Sequence, residues 1–234
     1  MQLRCDALLF DLDGVLVDSR AVVERTWRRW AQRHQLDPEA ILRVAHGRRT
    51  RDTLQAMVPH LNLDSEVAWL DAAELADFDG LFAVEGALRL LSTLPANAWG
   101  VVTSGGHRLA RRRLVSAGLP VPAVLVTSED VTLGKPAPDG YRLAAERLGF
   151  EPSSCLVFED APAGVVAGRA AGARVVALTT THSPQQLPSA DAVISNLAGI
   201  SVQSDVTGFR VGIHDGPWRP ALPNKRLKLA GADK

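Results

Sequence analysis

Residues 7–14 read Ala-Leu-Leu-Phe-Asp-Leu-Asp-Gly, four apolar residues followed at once by two aspartates and a glycine. An apolar run without polar alternation is the pattern of a strand buried on both faces, as in a parallel sheet. Further runs at 99–102, 123–126, 155–158, 174–178 and 192–194 share it, and each ends in a polar or glycine-bearing segment. Helical patterns lie between them. Leu88, Leu90, Leu91 and Leu94 precede the second run; 108–117 follows it and stops at Gly118 and Pro120; 141–148 stops at Gly149 and 164–171 at Gly172. Strand alternating with helix predicts an α/β fold with a doubly wound, mostly parallel sheet.

Residues 19–78 break that rhythm and contain no convincing strand. Helices are expected over 21–35, 39–44, 51–58 and 67–76, the first with Val22, Val23, Thr26, Trp27 and Trp30 on one side. So long a helical stretch is too much for one crossover, which predicts a small all-helical domain inserted after the first strand, 7–10. The α/β core is then residues 1–18 and 79–215. Alternation around Thr207-Gly208 suggests a terminal hairpin over 201–215. From 216 to 234, Pro217, Pro220, Pro223 and the basic run 225–228 predict a mobile tail.

Composition narrows the functional classes. A chain of 234 residues buries roughly 70% of its unfolded surface and needs no disulfide or metal staple. With 46% apolar and 22% charged residues, disorder over the whole length is excluded. No apolar stretch approaches the 18 or so residues of a membrane span, and Asp6 and Asp11 bracket the N-terminal run, unlike a signal peptide. Net charge is zero, so no global field draws the protein to nucleic acid or to an anionic membrane. The basic sets Arg25, Arg28, Arg29, Arg33 and Arg108, Arg111, Arg112, Arg113 read as solvated helix faces. Cys5 and Cys155 have no metal spacing and read as small buried thiols, which makes the cytoplasm the expected location. A monomer is expected. Arginines number 22 against four lysines, and Lys135 is the one lysine before residue 225. That isolation suggests a site needing a compact point charge.

Four segments at predicted strand ends carry the chemistry, and ligands of open α/β sheets bind at those ends. Asp11 and Asp13 leave a buried strand two residues apart, where they would repel unless a cation or proton joins them; a solvated turn is the plain alternative. Thr103-Ser104-Gly105-Gly106 opens a helix, either as a phosphate cradle of hydroxyl and backbone N–H groups or as an ordinary N-cap. In Gly134-Lys135-Pro136-Ala137-Pro138-Asp139 two prolines stiffen the loop and fix where the lysine points. Glu159 and Asp160 adjoin after a buried strand, costly without a cation, or simply acids favoured at a helix start.

DLDGVLVDS, VVTSG, GKPAPD and VFEDAPAG, in this order, resemble the four motifs of the haloacid dehalogenase superfamily over about residues 5–200. The resemblance implies a Rossmann-like core with the family's small helical cap at 19–78. Together with HGRRT at 46–50 it points to the sugar- and polyol-phosphate phosphatases. Val15 departs from the threonine common after Asp-x-Asp-Gly. By this resemblance Asp11 is the nucleophile, forming an aspartyl phosphate, and Asp13 is the acid and then the base. Mg²⁺ is the implied cofactor, held by Asp11, the Asp13 carbonyl and Asp160, with Glu159 one layer out through water. Thr103, Ser104 and Gly105 would bind phosphate and Lys135 would offset its charge. His46, Arg48 and Arg49 of the cap would choose the substrate, a small phosphorylated sugar or polyol. The alternatives are a hexose phosphomutase on the same scaffold and a non-catalytic binder of a phosphorylated metabolite.

Overall fold

The computed structural model describes residues 1–187, 189–205 and 208–214, so Thr207 of the expected hairpin turn and the expected tail, 216–234, lie outside the described residues. The chain opens with β1 (Gln2–Cys5), an exposed–buried alternation, and β2 (Ala7–Phe10), buried throughout. A two-residue strand β3 (Val17–Asp18) leads into α1 (Arg20–Arg33), α2 (Pro38–Ala45), α3 (Thr50–Met57) and α4 (Leu63–Ala76). The chain returns through β4 (Phe82–Ala83) and then alternates: α5 (Ala87–Leu91), β5 (Trp99–Val102), α6 (His107–Ser116), β6 (Val124–Val126), α7 (Asp139–Leu148), β7 (Cys155–Glu159), α8 (Pro162–Ala171) and β8 (Arg174–Leu178). It ends in β9 (Ala192–Ile194), β10 (Ile200–Asp205) and β11 (Gly208–Ile213).

The main sheet runs β6-β5-β2-β7-β8-β9, with every neighbouring pair parallel. Successive side chains of a strand point to opposite faces, which explains the unbroken apolar runs. Leu8 and Phe10 enter one core with Val101, Leu156 and Phe158. Ala7 and Leu9 enter the other with Val157, Tyr141 and Val165. Chain order reverses at β2: β5 and β6 are laid down on one side, then β7, β8 and β9 on the other. Such a switch point opens a crevice beyond the carboxyl ends of the central strands.

The expected terminal hairpin exists as the antiparallel pair β10–β11. One expectation needs correction: 7–10 is the second strand, not the first. β1 pairs antiparallel with β11, Gln2 opposite Gly212 and Cys5 opposite Phe209, completing a separate three-stranded sheet. Leu3, Cys5, Val211 and Ile213 bury against the first core. The signal was weak because Gln2 and Arg4 face out, so only two of the four β1 residues are apolar and buried.

Helices α1–α4 have a core of their own in which Trp27, Trp30, Ile41, Leu54 and Leu70 pack together. Asp37 caps α2 by accepting from the Glu39 N–H at 3.0 Å. Asn62 caps α4 by accepting from Ser65 at 3.2 Å, which starts that helix at Leu63 rather than at 67. The β3–β4 ribbon pairs Val17 with Ala83 and Asp18 with Phe82, clamping the exit and return of this helical unit. Among the described residues, no helix is long and apolar enough to cross a membrane.

Candidate active site

Asp11 follows the last residue of β2, and its N–H donates to the Phe158 carbonyl at 2.9 Å. It therefore emerges from the sheet level with the end of β7, where Glu159 is the final strand residue and Asp160 the next. Thr103 follows β5 in the same way, its N–H bonded to the Val126 carbonyl at 2.9 Å. Parallel register thus brings three of the four sequence motifs to one edge.

Lys135 joins the fourth to them. Its Nζ donates to Asp11 Oδ1 at 2.5 Å, to Glu159 Oε1 at 2.6 Å and to the Val102 carbonyl at 3.1 Å. All three ammonium protons are engaged and the side chain is buried. The Tyr141 hydroxyl also donates to Glu159 Oε1, at 2.8 Å. Oε2 of Glu159 accepts from the N–H groups of Asp160 and Ala161 at 2.9 and 3.2 Å. Glu159 is therefore fully hydrogen-bonded, and it fixes the lysine and the turn into α8 together.

Asp11, Glu159 and Asp160 can each offer a carboxylate oxygen within 4.8 Å of the others, all three buried. Burial pushes the Asp11 carboxyl up to about 7, with Lys135 pulling it back and Glu159 and Asp13 pushing further. Asp160 is held well above the ordinary carboxylate range by burial and by Asp11. Three buried carboxylates with a single ammonium among them, bonded to Asp11 and Glu159 but not to Asp160, are short of positive charge. An all-oxygen donor set of this kind fits a hard divalent cation such as Mg²⁺. Since Glu159 has its hydrogen bonds filled by protein, Asp11 and Asp160 are the carboxylates fitted to touch the ion. Gly14, at φ +82°, permits the packing, because a Cβ there would overlap the Asp160 carboxylate.

Asp13 stands apart from that cluster. Its Oδ1 accepts from Ser19 Oγ at 2.6 Å and its Oδ2 from Arg113 at 2.8 Å. Arg113 is buried, which corrects the reading of Arg108, Arg111, Arg112 and Arg113 as one solvated face. The helical phase explains it: Leu109, Ala110, Arg113 and Leu114 form the buried stripe of α6, while Arg108, Arg111 and Arg112 stay exposed.

The cluster opens into a cleft of about 270 Å³ between the sheet edge and the helical unit. Thr103, Ser104 and Gly105 line its floor with Asp11, Asp13 and Asp160. The Thr103 hydroxyl accepts from the Gly105 N–H at 3.1 Å, and the Ser104 hydroxyl donates to the Gly47 carbonyl across the cleft at 3.0 Å. At the start of α6 the His107 N–H donates to Glu129 at 2.8 Å, so that end of the expected cradle is occupied by a protein carboxylate. His46, Arg48 and Arg49 line the opposite wall. The His46 ring stands perpendicular to that of His182, centroids 6.2 Å apart, and burial lowers the pKa of both. Arg48 is exposed. Arg49, while lining the cleft, is also held by protein: it pairs with Asp52 at 2.7 and 2.9 Å and donates to the Thr132 carbonyl at 3.1 Å, tying the start of α3 to the core.

Sequence reading missed Tyr141, Ser19, Glu74 and Arg113. Tyr141 is the sole tyrosine, six residues past Lys135, and Arg113 falls in phase with Leu109 and Ala110; both were available signals. Ser19 and Glu74 carried none.

Residues 5–172 match the family model for haloacid dehalogenase-like hydrolases. The chain is 42% identical over 211 residues to hexitol phosphatase A of Escherichia coli K12, covering 88% of this chain and 98% of that one. It is 32% identical to glycerol-1-phosphate phosphohydrolase 2 of Saccharomyces cerevisiae, covering 86% of each. A hydrolase from Pseudomonas syringae superposes with a TM-score of 0.73 at 26% identity, over 82% of this chain and 94% of the other.

Proposed function

The chain belongs to the haloacid dehalogenase-like hydrolases, and from that premise we propose that it is a Mg²⁺-dependent phosphatase cleaving a small phosphorylated sugar or polyol through an aspartyl phosphate. The observation that carries this reading is Asp11, a buried carboxylate at the carboxyl end of the central strand β2, held by Lys135 at 2.5 Å and facing the cleft. Relatives described as a hexitol phosphatase and a glycerol-1-phosphate phosphohydrolase support the substrate class.

In this reading an Asp11 carboxylate oxygen attacks phosphorus, and the bond from phosphorus to the sugar oxygen breaks. The departing oxygen keeps the electron pair and takes a proton from Asp13. Asp13, now a carboxylate, takes a proton from water whose oxygen attacks the phosphoryl group, releasing phosphate and restoring Asp11. The Thr103 hydroxyl and the Ser104 N–H hold phosphate oxygens, and Lys135 steadies the charge of the nucleophile. Asp11, Asp160 and the Asp13 carbonyl would hold Mg²⁺, whose charge would let an anionic carboxylate approach an anionic phosphoryl group.

The helical unit of residues 19–78, which carries α1–α4, acts as the cap that excludes water and selects the leaving group, with His46 and Arg48 lining the cleft. The buried free thiols of Cys5 and Cys155 support a reducing, cytoplasmic location.

The test is phosphate release from a panel of hexitol, glycerol, glucose and 2-deoxyglucose phosphates, run with Mg²⁺, with EDTA and with the Asp11→Asn variant. Release that needs Mg²⁺ and is abolished in Asp11→Asn is the expected result. A folded protein that releases no phosphate from any ester overturns the reading. Conversion of β-glucose 1-phosphate that depends on a bisphosphate, without phosphate release, would make the chain a hexose phosphomutase.

A further inference from the structure

The fork of Arg113 joins two carboxylates from different parts of the molecule. One nitrogen donates to Asp13 Oδ2 at 2.8 Å and the other to Glu74 Oε2, on α4 of the helical unit, at 2.6 Å. Arg113 and Glu74 are both buried. Among the described residues, Arg113–Glu74 is the ion pair that links α1–α4 to the rest of the chain. All three residues line the cleft.

The buried Arg113 guanidinium bridges the buried carboxylate of Glu74 and the partly exposed carboxyl of Asp13, and removing the arginine leaves Glu74 as an uncompensated buried charge. A planar guanidinium held at both ends fixes the direction of each partner more tightly than an ammonium could. The aspartate it fixes is the one to which proton transfer falls in the proposed reaction, and the glutamate it fixes belongs to α4, whose Val67, Asp71 and Glu74 line the cleft from the side of the helical unit. We propose that Arg113 is a positioning residue for Asp13, and that Glu74 ties this positioning to closure of α1–α4, so that Asp13 is aimed at the departing oxygen only when the cap is seated. The proposal rests on the phosphatase reading and deepens it: the enzyme would favour esters whose alcohol needs a proton to leave and whose bulk lets α4 close.

The readout is the leaving group. A sugar-alcohol oxygen must be protonated as it departs, whereas p-nitrophenolate leaves unprotonated, so only the alkyl ester depends on a correctly aimed Asp13 in the phosphoryl-transfer step. Rapid-quench measurement of alcohol or nitrophenol release in the first turnover isolates that step from hydrolysis of the intermediate. General acid catalysis contributes about 10²–10⁴-fold. In Arg113→Met the first-turnover rate on the alkyl ester should fall at least ten-fold more than the rate on p-nitrophenyl phosphate. Glu74→Gln, which keeps the shape and removes the charge, should show the same bias in smaller measure together with a raised KM for the alkyl ester. Arg113→Lys should not restore the alkyl rate. Equal losses on both esters, in variants that melt cooperatively, would reduce Arg113 to a structural role and overturn the proposal; so would full alkyl activity in Glu74→Gln. Should Arg113→Met fail to fold, Glu74→Gln carries the test alone. A wild-type protein inactive on both esters would instead strike at the phosphatase reading itself.

Discussion

The ammonium of Lys135 lies 2.5 Å from Oδ1 of Asp11, although 124 residues separate the two in the chain. The same nitrogen reaches Glu159 at 2.6 Å, so one cation neutralises two buried carboxylates. Replacing Lys135 by alanine should therefore act twice. Loss of a fixed charge at the reacting centre should lower kcat by about 10²–10³. Stranding two buried carboxylates should cost about 3–5 kcal/mol of stability. Chemical denaturation and a steady-state assay well below the melting temperature separate the two effects. Lys135→Arg should recover little, because a guanidinium does not fit the three acceptors that the compact ammonium meets. Unchanged kcat in Lys135→Ala would remove the lysine from the chemistry.

Arg48 and Arg49 are neighbours in the chain with different surroundings. Both line the cleft, but Arg49 is pinned by Asp52 and by the Thr132 carbonyl, whereas Arg48 is exposed. Arg48→Ala should lower kcat/KM for the native sugar or polyol phosphate about ten-fold, the size of one lost polar contact worth about 1.4 kcal/mol. The loss on a small generic ester should be smaller. Arg49→Ala should instead raise KM for all esters alike, by loosening α3 from the core. A ranking of substrates unchanged by Arg48→Ala would take specificity away from this residue.

What the sequence disclosed and what it withheld follow a physical division. β2, β5, β7 and β8 were legible because burial on both faces leaves an unbroken apolar run. Asp11, Glu159 and Asp160 were legible because strand ends in such a sheet converge on one edge, and Lys135, well past the end of β6, because it stands alone among arginines in a proline-stiffened loop. Helix starts at Pro38 and Leu63 depended on caps by Asp37 and Asn62, local chemistry that shifts a boundary by a few residues. The partnerships of Arg113 were not legible. Whether an arginine in a basic helix faces water or a carboxylate depends on which helix lies opposite, and Glu74 arrives from an element 39 positions away. β1 was hidden for a similar reason: its partner, β11, lies at the far end of the described chain.

Gly164 offers a test of the support beneath the site. A Cβ there would occupy the space of the Glu159 carboxylate. That carboxylate binds Lys135, Tyr141 and two backbone N–H groups. Gly164→Ala should destabilise the protein by about 1–3 kcal/mol, the usual cost of overpacking, and should also lower kcat by displacing the lysine's partner. Gly168, one turn further along α8, provides the contrast. Its added Cβ would meet Val175 Cγ2 at 2.9 Å, away from the acids. Gly168→Ala should lose stability and keep kcat. If both variants lose stability and neither loses rate, Glu159 does not govern the placement of Lys135.

Protons and a divalent cation should compete for the acid cluster, and the sign of that competition can be worked out. Burial raises Asp11 from the ordinary carboxylate value near 3.8 to about 7 and moves Asp160 in the same direction. In protein treated with EDTA, the folded state then holds protons between about pH 4 and 7 that the unfolded chain has released. A raised carboxyl contributes stability that is complete below the unfolded pKa and is lost as pH rises through the folded one. A divalent cation reverses the loss, because it binds the ionised form. At pH 5.5 it must first displace protons from Asp11 and Asp160; at pH 8 it need not. The rise in melting temperature produced by Mg²⁺ should therefore be larger at pH 8 than at pH 5.5. At 100 times its Kd the ion adds about 2.7 kcal/mol, a shift of several degrees that thermal unfolding resolves. Asp160→Asn should abolish most of the Mg²⁺-dependent rise while leaving a folded protein. An equal rise at both pH values, or one that survives Asp160→Asn, would mean that the ion binds elsewhere.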